Sequence, residues 1–160
     1  MPREARRLLE NVCYHILSRG NQKQRTFFKE DDYLMYLELL GKYKVKFKFK
    51  LYGFCLMPNH VHLMVEPRIP KDISKAIGGL NLCYTQWFNR EYNKVGHLWQ
   101  DRFKSFIVAK DQYLINCINY IELNPIRAEI IHDPMEYKWS SYRSRLTGDK
   151  RKLLDKLNIF

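Results

Sequence analysis

Apolar and polar positions change rhythm several times along the chain, and each change marks an element. Residues 12–18 (VCYHILS) have a strand-like composition and stop at Arg19-Gly20-Asn21, a turn signal. The acidic pair Asp31-Asp32 opens a helical segment to about residue 46, with Leu34, Leu37 and Leu40 as its apolar stripe. Residues 49–57 read as a second strand, broken by Met57-Pro58-Asn59. Residues 60–66 alternate, with His60, His62 and Met64 on one face and Val61, Leu63 and Val65 on the other. Two strands separated by so short a break should form a hairpin. A long helix follows from about residue 72 to about residue 92, loosened at Gly78-Gly79. Beyond the block GHLWQDRFKS (96–105) comes a strand at 105–109. Asp111 then caps a last helix with the stripe Leu114, Cys117, Ile118 and Ile121. That helix should end near Asn124, because Pro125 disfavours helical geometry in the residue before it.

The order strand–helix–strand–strand–helix–strand is that of a split β-α-β unit. The expected fold is therefore α+β: a ferredoxin-like (RRM-like) antiparallel sheet with helices on one face, plus an extra C-terminal helix bearing tyrosines. No repeat, Gly/Ser linker or low-complexity tract interrupts it, so residues 1–160 are read as one domain. Residues 150–160 form a basic-apolar tail that either binds a partner or folds back. At 46% hydrophobic and 28% charged, the composition is that of a globular chain, and no window is apolar enough to span a membrane. The basic N-terminus, residues 1–10, has no apolar core behind it and does not read as a secretory leader. Cys13, Cys55, Cys83 and Cys117 are widely spaced with no C-x-x-C pair, which removes a zinc ribbon. They are expected to be small buried hydrophobes in a reducing, cytoplasmic setting. The net charge of +11, from 28 Lys+Arg against 17 Asp+Glu, calls for a polyanion. The 11 tyrosines suit either a core or a surface on which unpaired bases stack.

Two features carry chemistry. Residues two apart on a strand point to the same side, so the imidazoles of His60 and His62 can converge on one metal ion while Val61 packs behind. Taken alone, this pair is equally compatible with two surface histidines. A third alternating histidine would indicate a nucleotide hydrolase, but Met64 holds that place, and H-E-x-x-H is absent. In the last helix Tyr113, Asn116, Tyr120 and Asn124 share a face away from the apolar stripe. An amide there can complete a metal site, and a phenol beside the metal can attack a polarised phosphate. A tyrosine that simply packs on an amphipathic helix would look the same.

Five blocks, in order, decide between these readings: YHILSRGNQKQ (14–24), CLMPNHVHLMVEP (55–67), GHLWQDRFKS (96–105), NYIELNPIRA (119–128) and WSSY (139–142). Together they resemble the single-tyrosine transposases of the His-hydrophobe-His nuclease superfamily. Within that group they resemble most the REP-associated tyrosine transposases, domesticated relatives of insertion-sequence enzymes. The resemblance implies a metal-dependent enzyme that cleaves and rejoins hairpin-flanked single-stranded DNA through a 5′-phosphotyrosine. It implies His60, His62 and Asn124 as ligands of Mg²⁺ or Mn²⁺, with Glu66 and Glu122 near enough to substitute, and Tyr120 as the nucleophile. DNA contacts are then expected from Arg19, Asn21, Lys23, Arg25, Arg102, Lys104 and Arg127. Trp99 is either a stacking platform or a packing anchor. A cytoplasmic bacterial protein, nucleoid-associated when bound to DNA and acting as a monomer or a homodimer, fits the resemblance. Other readings of the same residues are a replication-initiator or relaxase-type nuclease, a non-catalytic single-strand binder on the same fold, and a water-using phosphoesterase.

Overall fold

The computed structural model describes residues 5, 6 and 8–157. Strands β1 (Cys13–Arg19), β2 (Lys50–Met57), β3 (His60–Glu66) and β4 (Lys104–Val108) form one sheet in the order β2-β3-β1-β4. Every neighbouring pair is antiparallel. With helices α1 (Glu30–Phe47) and α2 (Ile73–Glu91) between the strands, this is the anticipated ferredoxin-like order.

Strand alternation sorts the sheet into two faces with different covers. Tyr14, Ile16, Leu63 and Val65 point toward α1 and α2, where they form one buried cluster with Leu40, Leu80 and Tyr84. The opposite face carries Cys13, Cys55, Met64 and Val108, which pack against Leu114, Ile118 and Ile121 of α3 (Gln112–Glu122). The register pairs His15 with Met64, Leu17 with His62 and Arg19 with His60. Both histidines of β3 therefore stand on the α3 face, at the end of the sheet where β1 finishes and β3 begins.

Asp32 starts α1. Its Oδ2 accepts from the backbone N–H groups of Phe28 and Lys29 at 2.7 and 3.1 Å and from the Tyr92 hydroxyl at 2.5 Å. Helix α2 runs unbroken through Gly78-Gly79, contrary to the loosening expected there. Gly79 serves contact rather than flexibility, because a Cβ at this position would stand 2.7 Å from Tyr43 Cε1 of α1. Helix α3 stops at Glu122, and Asn124 instead opens a separate turn, α4 (Asn124–Arg127), with Pro125 inside it. Pro125 has no N–H to offer the preceding turn and is accommodated at the start of a new one.

A last helix, α5 (Ser141–Thr147), was not foreseen; Ser140 caps it by accepting from the Tyr142 backbone N–H at 3.3 Å. The tail folds back onto the domain: Leu153 is buried, Asp155 exchanges backbone and side-chain bonds with Leu51, and Lys44 pairs with Asp155 at 2.8 Å. Its end, 158–160, and the basic positions 1–4 and 7 lie outside the described residues. Of the cysteines, only Cys13 and Cys55 are buried. Burial raises the Cys13 thiol to about 12 and lifts Cys55 as well. Cys83 and Cys117 are half-buried, and Cys83 sits 3.0 Å from the Tyr43 hydroxyl. Among the described residues no helix is long and apolar enough to cross a membrane.

Candidate metal and nucleophile site

Arg19, Lys23, Asn59, His60, His62, Tyr120 and Asn124 line one cleft of about 290 Å³. Strand β3 supplies the histidine pair, α3 supplies Tyr120, and the turn into α4 supplies Asn124. The two imidazole rings lie 5.0 Å apart, nearly perpendicular, and the Tyr120 ring stands 6.4 Å from His62.

The hydrogen bonds assign both histidines the same tautomer. The Asn59 side-chain oxygen can only accept, so the 2.7 Å bond requires His60 Nδ1 to carry the proton. The Asn124 amide nitrogen can only donate, and it meets His62 Nε2 at 3.0 Å. His62 Nδ1 must then hold its proton and donate it to His15 Nε2 at 2.8 Å. Each imidazole thus turns a bare Nε2 away from its Nδ1 anchor. Burial keeps both rings neutral, and His62 is pulled down to about 3, with the neighbouring His60, His15, Arg127 and Arg19 adding to the effect. Neutral imidazoles with an available nitrogen are the form that binds metal.

Among the described residues no group of three or more His, Cys, Asp or Glu side chains is placed to hold a metal ion, because His15 offers its nitrogen to His62. The carboxylates that the sequence offered as substitutes are engaged elsewhere. Glu122 is buried against Ser141 Oγ at 2.7 Å and Arg145 at 2.8 and 3.0 Å. Glu66 bonds the Tyr52 hydroxyl at 2.5 Å and pairs with Lys110. A donor set at this cleft is therefore two imidazoles and an amide.

A family model described as "Transposase IS200 like" matches residues 9–124, from just before β1 through both histidines, Tyr120 and Asn124. The chain belongs to the IS200-like transposase family. A Haemophilus influenzae protein described as a REP-associated tyrosine transposase is 24% identical over 106 residues. The match covers 60% of this chain, which in turn spans 60% of that relative's length. A solved structure of a REP-associated tyrosine transposase bound to a REP hairpin superposes with a TM-score of 0.76 at 16% identity, over 97% of this chain and 89% of that one. The fold is shared with it.

In this member of the IS200-like family, the basic residues expected to contact DNA divide into three groups. Arg19 and Lys23 line the cleft, and Arg127 lies over the Tyr120 ring at 3.9 Å while donating to the Tyr120 carbonyl. Arg102 and Lys104 line a second cleft along β4, which Arg19 joins to the first. Arg25 turns away, 5.4 Å over the Phe28 ring and bonded to Tyr33. Asn21 is fixed by its backbone N–H to Leu98 at 2.8 Å. Trp99 sits among Tyr36 and Tyr84, its indole N–H donating to Asn81 at 3.2 Å, in the manner of a packing anchor.

His15 is the group that sequence reasoning missed. Its ring stacks on His62 at 5.1 Å. The signal was present in β1, where alternation places His15 with Leu17 and Arg19 on one face, but β1 offers no second histidine to draw notice.

Proposed function

We propose that this protein cleaves and rejoins single-stranded DNA at a phosphodiester next to a folded hairpin, with Tyr120 as nucleophile and a divalent cation as cofactor. The observation that carries this reading is the convergence of His60, His62, Asn124 and Tyr120 in one basic cleft. The donor set fits a divalent ion: His60 and His62 would hold it through Nε2, and Asn124 through its side-chain oxygen, presented in place of the nitrogen that now meets His62. Imidazole nitrogen does not itself select Mg²⁺, so Mn²⁺ is an equally good candidate. When bound, such an ion acts as a Lewis acid on the scissile phosphate.

The protein groups do the rest. Tyr120 is half-exposed in the cleft lining, open to a strand lying there. Its hydroxyl oxygen bonds to phosphorus, the P–O3′ bond breaks, and the departing strand leaves as a 3′-OH. Attack on the phosphotyrosine by a 3′-OH reverses the exchange, so the sequence of steps conserves bond energy and needs no nucleotide cofactor. Arg19, Lys23 and Arg127 place positive charge around the phosphate, where it offsets the charge that develops in the transition state. The hairpin named for the solved relative supports a hairpin as the recognised form.

The test is cleavage of end-labelled single strands that carry hairpins drawn from repeats beside the gene. Cleavage is expected with Mg²⁺ or Mn²⁺, and is expected to disappear with EDTA, Tyr120→Phe or His62→Ala. Metal-dependent cleavage that survives Tyr120→Phe would assign the site to a water-using nuclease. Binding without cleavage by either metal would assign it to a binding module.

A further inference from the structure

Helix α3 covers only part of its face of the sheet. It packs over Cys13, Met64 and Val108 and leaves the other part of the β4 edge open. There a trough of about 940 Å³ runs from Arg19 along β1 and β4, with Lys104, Phe106, Ile107 and Tyr113 in its walls. Two of these aromatic residues face solvent: Phe106 is 51% exposed and Tyr113 is 58% exposed. The register pairs Phe106 with His15, and the Phe106 ring lies 5.9 Å from the His15 ring, which in turn stacks on His62. Phe106, His15 and His62 thus form a continuous row of rings leading out of the candidate metal site. Arg6, Arg19, Arg102 and Lys104 line the same trough as Phe106, with one carboxylate, Asp101.

A single exposed phenylalanine is ordinary, but one aligned with His15 and His62 and set beside an exposed tyrosine forms a ready aromatic platform. A row of rings bordered by cations suits an extended single strand: the rings take base faces and the cations take phosphates. We propose that this trough is a nucleobase-stacking subsite for the single-stranded flank next to the scissile phosphate, with Phe106 as its principal platform and Tyr113 on the facing wall. The proposal rests on the single-strand reading above. It adds where the flank travels and what grips it. Stacking has no hydrogen-bond readout, so the grip is sequence-tolerant and the hairpin is left to supply recognition.

The experiment measures fluorescence anisotropy on Tyr120→Phe protein, which binds without cleaving. The probe is a fluorescein-labelled hairpin oligonucleotide with oligo-thymidine flanks on both sides. Phe106→Ala should weaken binding roughly five- to a hundredfold, the range for one stacked base, and Phe106→Trp should restore it. One abasic flank position should weaken the parent protein by a similar factor and add nothing to Phe106→Ala. Unchanged affinity in Phe106→Ala, with the same abasic profile as the parent, would overturn the subsite while leaving the single-strand reading standing. Equal binding of the parent protein to a matched duplex would remove the single-strand reading, and the subsite with it. Phe106→Ala that dissociates a dimer in light scattering and leaves probe binding intact would assign the trough to a second copy of the chain.

Discussion

His15 contributes no ligand atom under the proposed scheme, yet it decides which nitrogen of His62 is unprotonated. By accepting the Nδ1 proton at 2.8 Å it fixes the tautomer and the plane of the ring. Partners of this kind behind a metal-bound imidazole are worth roughly ten- to a hundredfold in metal affinity. We expect His15→Ala to weaken Mn²⁺ binding by about that factor in calorimetry. Unaltered affinity would leave His15 as packing only. The same pair makes the metal-free protein sensitive to acid. Burial lowers His15, and His62 falls from 6.5 to about 3, so below the ordinary histidine range the unfolded chain takes up protons that the fold refuses. Stability is therefore complete above about pH 6.5 and declines as the pH falls toward the folded value. Melting temperature in EDTA should drop between roughly pH 7 and pH 5, and His62→Ala should flatten the slope. A flat profile for the parent protein would contradict the burial argument.

At the scale of elements, the blocks that carry the resemblance separate into chemistry and scaffold. Glu122 lies beside Tyr120 in sequence but points into the core, where it ties α3 to α5 through Ser141 and Arg145. Ser141 Oγ also accepts from Phe54 N–H at 2.9 Å, so β2 joins the same knot. Arg145→Met should leave the Glu122 carboxylate buried beside one hydroxyl and cost about 3 kcal/mol, measured by urea unfolding. A loss below about 1 kcal/mol would show the ion pair to be dispensable. Strand order, the hairpin and the His60–His62 face were all legible, because period-two alternation survives in β1 and β3 and Pro58-Asn59 marks the break. Three features were not. Gly78-Gly79 read as a weak point because the contact that needs Gly79, with Tyr43 of α1, is remote in sequence. Helix α5 is short, and packing rather than a long apolar period holds it. Asn124 was expected one turn beyond Tyr120 on a continuous helix; its amide reaches His62 from α4 instead.

At the scale of the molecule, the sheet divides the labour. One face and two long helices make the core, and the other is partly covered by α3 and partly open as a basic, aromatic-lined trough that meets the histidine cleft at Arg19. The net charge of +11 gives such a surface its long-range attraction for nucleic acid. Everything proposed for this arrangement converges on one covalent bond, between the Tyr120 oxygen and a DNA 5′-phosphate. The most direct measurement is therefore a denaturing protein gel after incubation with labelled hairpin-bearing single strands and Mn²⁺ or Mg²⁺, followed by peptide mapping of any shifted band. The expected result is a labelled protein band that requires the metal, maps to the peptide containing Tyr120 and is absent in Tyr120→Phe. Cleaved DNA without that band, or a band that maps elsewhere or persists in Tyr120→Phe, would contradict the assignment of Tyr120 as nucleophile.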